Sequence, residues 1–167
     1  PDYQYMAARL AIFHLRKKAY GKFEPPHLYD QVTKMVADNR YDKHLLEDYS
    51  QEEFEQMNSF LDHSRDLNFS YAAVTQLEGK YLVQNRVTGE VYESAQFLYV
   101  LVAACLFANY PKDTRLDYIR RFYDAASTFK LSLPTPIMAC VRTPTRQFSA
   151  CVLIESDDSL DSINATA

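Results

Sequence analysis

The residues whose types and spacing could do chemistry gather near the carboxyl end, between Ser132 and Ala167. Cys151 opens an apolar run, Cys151-Val152-Leu153-Ile154, that reads as a β-strand. Two proline–threonine loops, Pro134-Thr135-Pro136 and Thr143-Pro144-Thr145, place hydroxyls ahead of it, and Ser149-Ala150 precede it directly. Asp157-Asp158-Ser159-Leu160 follow as an acidic helix start. A thiol at the mouth of a strand, with hydroxyls before it and a helix N-terminus after it, could hold a phosphorylated ligand beside a reactive sulfur. Each group also has a purely structural reading. Cys151 could pack as a small hydrophobe. Thr135 could do no more than stiffen an extended loop between prolines, and Asp157 to Leu160 could be an ordinary helix cap. Near the amino end, His14 and Lys17 share a helical face, which without a ligand is a solvated polar edge.

The elements that must position these groups are mostly helical. From Tyr3 to Ala19, Met6, Leu10 and Phe13 fall on one face. Arg16, Lys17 and Lys18 crowd the last turn, where cations suit the carbonyl end of the dipole, and Gly21 ends it. Leu28, Val32, Met35 and Val36 repeat at helical spacing. Ser50 to Glu53 has the pattern of a capping box, with Tyr49 and Phe54 placed as a hydrophobic staple. Tyr71, Val74 and Leu77 mark a short helix ending at Gly79. Residues 81–84 and 90–93 flank a polar turn containing Gly89, a hairpin signal. Ser94 to Asn109 is apolar almost all round and should be a buried helix, closed by Pro111. Leu116, Ile119, Phe122, Tyr123 and Ala126 mark an amphipathic helix whose basic residues, Arg115 to Arg121, form its wet face. The acidic stretch from Glu47 to Glu53 reads as an exposed helix start, and His27, His44 and His63 as solvated loop or cap residues. Helical periodicity ends near Phe129.

Composition narrows the function. A 167-residue chain that is 47% apolar, with 13 Tyr and 10 Phe, can bury a real core and form one domain or slightly more. A net charge of −4 gives no electrostatic case for binding DNA. The longest apolar run, Phe97 to Ala108, is too short to span a membrane, and no signal peptide opens the chain. The cytoplasm is the expected compartment. Cys105, Cys140 and Cys151 form no CxxC pair and suit neither zinc nor an iron–sulfur cluster, so free thiols are expected, with Cys105 and Cys140 assigned to packing. Three glycines leave no Gly-rich phosphate loop. The chain lacks an initiator Met and reads as part of a longer protein.

Three strings are distinctive: Leu-Glu-Gly-Lys-Tyr-Leu-Val-Gln-Asn-Arg from Leu77, Ser-Leu-Pro-Thr-Pro-Ile-Met from Ser132, and Arg-Thr-Pro-Thr-Arg-Gln-Phe-Ser from Arg142. On these the chain resembles, from Asp2 through Ala167, the large catalytic subunits of class I aerobic bacterial ribonucleotide reductases. The resemblance implies a mainly α domain with a small β-hairpin, followed by the start of a ten-stranded α/β barrel. Residues 1–20 would be the last helix of an ATP-cone regulatory domain, 21–147 the helical domain, and 148–167 the first barrel strand and helix. It implies that Cys151 is one of two thiols that reduce a ribonucleoside diphosphate, and that Thr135, Ser149 and Ala150 contact that substrate. Asp158, Ser159 and Leu160 would meet a deoxynucleoside triphosphate or ATP specificity effector, and Lys17 and His14 the activity effector, ATP. Implied partners are a second large subunit, a small subunit supplying a diferric-tyrosyl radical, and thioredoxin or glutaredoxin as reductant. No metal is held by this chain in that picture, and the fragment alone would be inactive. The chain departs from many relatives at Ala150, where they have serine, and at Ser156-Asp157, where they have Cys-Gly. The rival readings are a helical nucleotide-sensing or interaction module without catalysis, and an adenosylcobalamin-dependent or anaerobic relative.

Overall fold

The computed structural model describes residues 2–146 and 148–166; Pro1, Gln147 and Ala167, which mark ends of the expected domains, lie outside the described residues. Helix α1 spans Asp2–Tyr20. It stops where Gly21, at φ +72°, takes the left-handed conformation and donates its amide to the Lys17 carbonyl at 2.9 Å. Its buried stripe is Ala8, Ile12 and Leu15. Met6 and Leu10, on the other apolar stripe, are 63% and 66% exposed. The helix carries two apolar stripes, and the described chain packs against one of them.

Helix α2 (Leu28–Ala37) is capped by His27, whose ring accepts from the Tyr29 amide, and α3 (His44–Asp48) is a single turn. Helix α4 (Gln51–Phe60) carries the expected capping box, complete in both directions between Ser50 and Glu53. Tyr49 and Phe54 close the staple with ring centroids 5.9 Å apart. A 3₁₀ segment, His63–Asn68, leads to α5 (Tyr71–Gln76). The expected stop at Gly79 does not occur: the chain continues through a π-type turn, Leu77–Tyr81. Strands β1 (Gln84–Asn85) and β2 (Glu90–Val91) then pair antiparallel, Gln84 opposite Val91. Gly89, at φ +71°, closes their turn onto the Asn85 carbonyl.

The centre of the domain is α6 (Ala95–Leu106), buried on every side from Ala95 to Ala104. Helix α7 (Arg115–Ser127) packs along it through Ile119, Tyr123 and Ala126. Helix α8 (Thr135–Cys140) was not foreseen. Proline is well suited to the first turn of a helix, where its missing N–H has no partner to lose, so Pro136 starts this helix instead of breaking it. Helix α9 (Leu160–Thr166) lies at the end.

Three expectations about polar residues are corrected by partners distant in sequence. Arg115 is buried, and its guanidinium grips Glu53 with two bonds of 2.8 Å, donates to the carbonyls of Asp48 and Ala108, and stacks 4.2 Å over Tyr49. Glu53 is therefore no wet helix-start residue. His63 lies edge-on to Phe97 at 5.0 Å; burial, and then the charge of Arg16, push its pKa down to about 4. The deepest pair is Arg142 with Glu93, both side chains at zero exposure.

Glu93→Gln should destabilise the chain by about 3–5 kcal/mol in urea unfolding, because Arg142 is left buried without its counter-ion. Arg121→Ala, whose partner Asp117 sits 3.9 Å away on an open surface, should change stability by no more than about 0.5 kcal/mol. The folded protein keeps His63 neutral, whereas the unfolded chain protonates it near pH 6.5. The stability this contributes is full above about pH 6.5 and is lost as pH falls from there toward about 4. Urea midpoints measured between pH 7 and 5 should fall, and His63→Phe should flatten that slope.

Candidate functional site

The expected site residues near the carboxyl end fall on one rigid anchor and one open segment. The anchor is built around Glu93. Its carboxylate accepts from the Val83 amide at 2.9 Å, from the Tyr41 hydroxyl at 2.6 Å and from the Arg142 guanidinium. Arg142 also donates to the carbonyls of Tyr81 and Met138. Burial works against the guanidinium's charge, yet Glu93 more than offsets it and holds the Arg142 pKa above its ordinary value. Thr135, the first residue of α8, is thereby fixed to the helical body, with its hydroxyl 3.4 Å from that of Tyr81. It is exposed, and it begins a helix; it is not in an extended loop.

A second tie follows. Asp42 donates its amide to the Arg142 carbonyl at 2.9 Å, and its carboxylate lies 3.2 Å from Arg146 Nε. Burial works to raise the Asp42 carboxyl, but hydrogen bonds from the His44 ring and amide, with the charge of Arg146, hold it below the usual carboxylate range. Arg146 adopts a left-handed backbone, φ +48°, so the chain turns sharply at this last clamp.

Beyond it, residues 148–160 are exposed throughout. The strand expected at 151–154 does not form, and Leu153 is 102% exposed. A strand needs a neighbour to take its amides and carbonyls, and no described segment pairs with this one. Cys151 is an exposed free thiol, and its carbonyl accepts from the Ser149 hydroxyl at 2.9 Å. Ser149, Ala150 and Cys151 thus form one local group, whereas Thr135 bonds to Tyr81. Ser159 caps α9 as expected, its hydroxyl accepting from the Ser162 amide at 3.2 Å. The amide of Ser159 is itself spent on the Asp157 carbonyl at 2.8 Å. Asp158 and Leu160 are exposed beside it. Lys17 and His14 are exposed on α1, the Lys17 ammonium lying 5.4 Å from the ring centre of Phe23.

The other thiols differ. Cys105 packs against the core, and burial pushes its pKa up to about 12. Cys140 is half-buried and lines a small polar cavity, so packing describes it incompletely. Among the described residues no group of three or more His, Cys, Asp or Glu is placed to hold a metal ion. No described helix is long and apolar enough to cross a membrane.

Residues 67–146 match the family model described as the ribonucleotide reductase all-alpha domain. The whole chain is 78% identical to 22% of ribonucleoside-diphosphate reductase 1 subunit alpha of Escherichia coli (strain K12). It is 76% identical, over the same shares, to the subunit alpha of Haemophilus influenzae. Across 98% of the chain it is 49% identical to 22% of the subunit alpha of Enterobacteria phage T4. The chain belongs to the ribonucleotide reductase large-subunit family. It spans about 22% of the length of these curated relatives. The all-alpha match ends at Arg146, where Asp42 makes its clamp on the turn leading to the thiol.

Sequence patterns did not disclose Glu93, Arg142, Asp42 or Arg146 as the residues that tie the segment before Cys151 to the helical body. A signal did exist in Glu93, a carboxylate placed directly against the wholly apolar run of α6.

Alkylation of the native chain with iodoacetamide at pH 7.5, followed by peptide mass spectrometry, should modify Cys151 first. Cys105 should react at least about 100-fold more slowly, since so little of it is thiolate.

Proposed function

We propose that this chain is the segment of a ribonucleoside-diphosphate reductase large subunit that carries one of its two reducing thiols, Cys151, into the catalytic barrel. The observation that carries the reading is the placement of that thiol. It stands exposed on an open segment, after a turn clamped to a rigid helical body, and matches that span this whole chain and 22% of a named reductase subunit cover it.

The chemistry required of Cys151 is limited and balanced. In the overall change, a ribose carbon exchanges its 2′-hydroxyl for hydrogen; two thiols lose two electrons and two protons, become a disulfide, and water leaves. Cys151 gives a proton to the departing hydroxyl and then bonds to a second sulfur, which comes from the part of the relatives' length that this chain does not span. Thr135, with Ser149 and the main chain of Ala150, holds the ribonucleoside diphosphate. Because Ala150 has no hydroxyl, its contact is through the backbone. The strand from Cys151 to Ile154 forms only when neighbouring barrel strands supply partners, which accounts for its apolar yet exposed side chains. The radical that starts the reaction comes from a small partner subunit with a diferric-tyrosyl centre, and thioredoxin or glutaredoxin restores the thiols.

Regulation is assigned to two sets of residues. Asp158, Ser159 and Leu160 meet the specificity effector, a deoxynucleoside triphosphate or ATP. With the Ser159 amide already bonded within its turn, Asp158 supplies the main contact. His14 and Lys17 belong to the last helix of an ATP cone, where the exposed Lys17 ammonium suits a triphosphate. In this reading residues 1–20 close the cone, 21–147 form the helical domain and 148–167 open the barrel of a cytoplasmic, dimeric large subunit.

The test is Cys151→Ser in a full-length subunit carrying this segment, assayed with its radical-generating partner. Reduction should fall by about 10³-fold or more while nucleotide binding is kept. Undiminished reduction would favour a nucleotide-sensing module without catalysis, and dependence on added adenosylcobalamin would favour the other reductase class.

A further inference from the structure

We infer that the cavity between the hairpin and the turn after α8 binds a compact oxyanion of the phosphate class. This cavity, about 330 Å³, is lined by Arg40, Arg86, Gln84, Thr143, Thr145 and Cys140 among others, and no carboxylate is among its lining residues. Two arginines therefore border one small space whose lining holds no carboxylate.

Both cations are held in place by neutral groups. The Arg86 guanidinium donates to the carbonyls of Gly79 at 3.1 Å and Lys80 at 3.0 Å, one bond from each terminal nitrogen. Arg40 lies 4.5 Å over the ring of Tyr92, whose hydroxyl is spent on Glu90. Among the described residues neither arginine enters an ion pair with a carboxylate. Their orientation is fixed, and their charge is not cancelled. Two like charges in one cavity raise the electrostatic energy of the empty state, and an anion between them reverses its sign. A planar guanidinium with N–H groups to spare is also the side chain best matched to the oxygens of phosphate.

The remaining polar groups sharpen the ligand's description. The Gln84 amide nitrogen is spent on the Glu78 and Leu82 carbonyls, and the Thr143 hydroxyl on the Cys140 carbonyl. The available side-chain donors are therefore the two arginines, Asn39 and Thr145. No aromatic ring lines the cavity, so no flat organic group is recognised by stacking; the oxyanion itself is what binds. The site accounts for the second proline–threonine loop, to which the reducing thiol assigns no task, and it does not depend on the reading of Cys151.

The test uses inorganic phosphate and glycerol 3-phosphate, titrated separately into the isotopically labelled 167-residue chain and followed by NMR, with sodium chloride at matched ionic strength as control. Saturable shifts should be confined to Arg40, Arg86, Thr143 and Thr145, and Arg40→Gln or Arg86→Gln should each weaken binding about 10-fold or more. Phosphate should also slow alkylation of Cys140 several-fold and leave Cys151 unaffected. Binding of phosphate alone would identify the free ion as ligand, and equal or tighter binding of glycerol 3-phosphate would identify a phosphorylated small molecule. Shifts reproduced by chloride, no saturable shift, or unchanged affinity in two folded arginine variants would overturn the proposal.

Discussion

The ion pair between Arg142 and Glu93 is the constraint on which the arrangement depends. Removing two charges from water costs several kcal/mol for each, and the pair holds only when the remaining donors and acceptors are also satisfied. Here they are. Glu93 takes the Val83 amide and the Tyr41 hydroxyl, while Arg142 gives to the Tyr81 and Met138 carbonyls. Tyr41 in turn accepts from Gln31, which also reaches the Tyr92 carbonyl at 2.7 Å. Helix α2, the hairpin, the π-type turn and α8 therefore meet at one carboxylate. Pulling Arg142 away would leave Glu93 buried and unpaired, which ties α8 and the start of the turn leading to Cys151 to the helical body.

Much of the fold was legible in local patterns because local physics dictates it. The Ser50–Glu53 box, the Gly21 stop and the all-round apolar stretch of α6 each need only neighbours within a turn or two. The buried charges were illegible for the opposite reason. Arg115 finds Glu53 across 62 residues and Arg142 finds Glu93 across 49, and nothing near either arginine marks it as buried. The default for a charged residue is the surface, and only tertiary partners reverse it. His63 is the same case in a weaker form, since the edge of Phe97 and the proximity of Arg16 come from other elements.

The stretch after Lys130 shows both kinds of error. Prolines flanking Thr135 read as an extended loop, yet proline is equally at home in a helix's first turn, and burial of Pro136, Val141 and Arg142 settles the matter. Cys151 to Ile154 has the composition of a strand, and composition records only a preference for a half-covered pleated surface. That surface has to come from other strands. The candidate site was thus readable as a set of residue types, while its division into an anchored half and an open half was not.

That division bears directly on the chemistry a thiol can perform. The chain carries three free thiols, and the reducing role proposed for Cys151 requires that one of them change partners without the others interfering. Cys105 is withdrawn by its surroundings: packing against the core and a pKa raised to about 12 leave it almost wholly protonated near neutral pH. Cys140 is fixed within α8, itself held by the Arg142 anchor through the Met138 carbonyl, and is only half-exposed. Cys151 alone lies past the Asp42–Arg146 clamp, on backbone that no sheet or helix yet constrains. A rigid domain that ends in a sharp, pinned turn and then releases an accessible sulfur separates the task of holding position from the task of reacting.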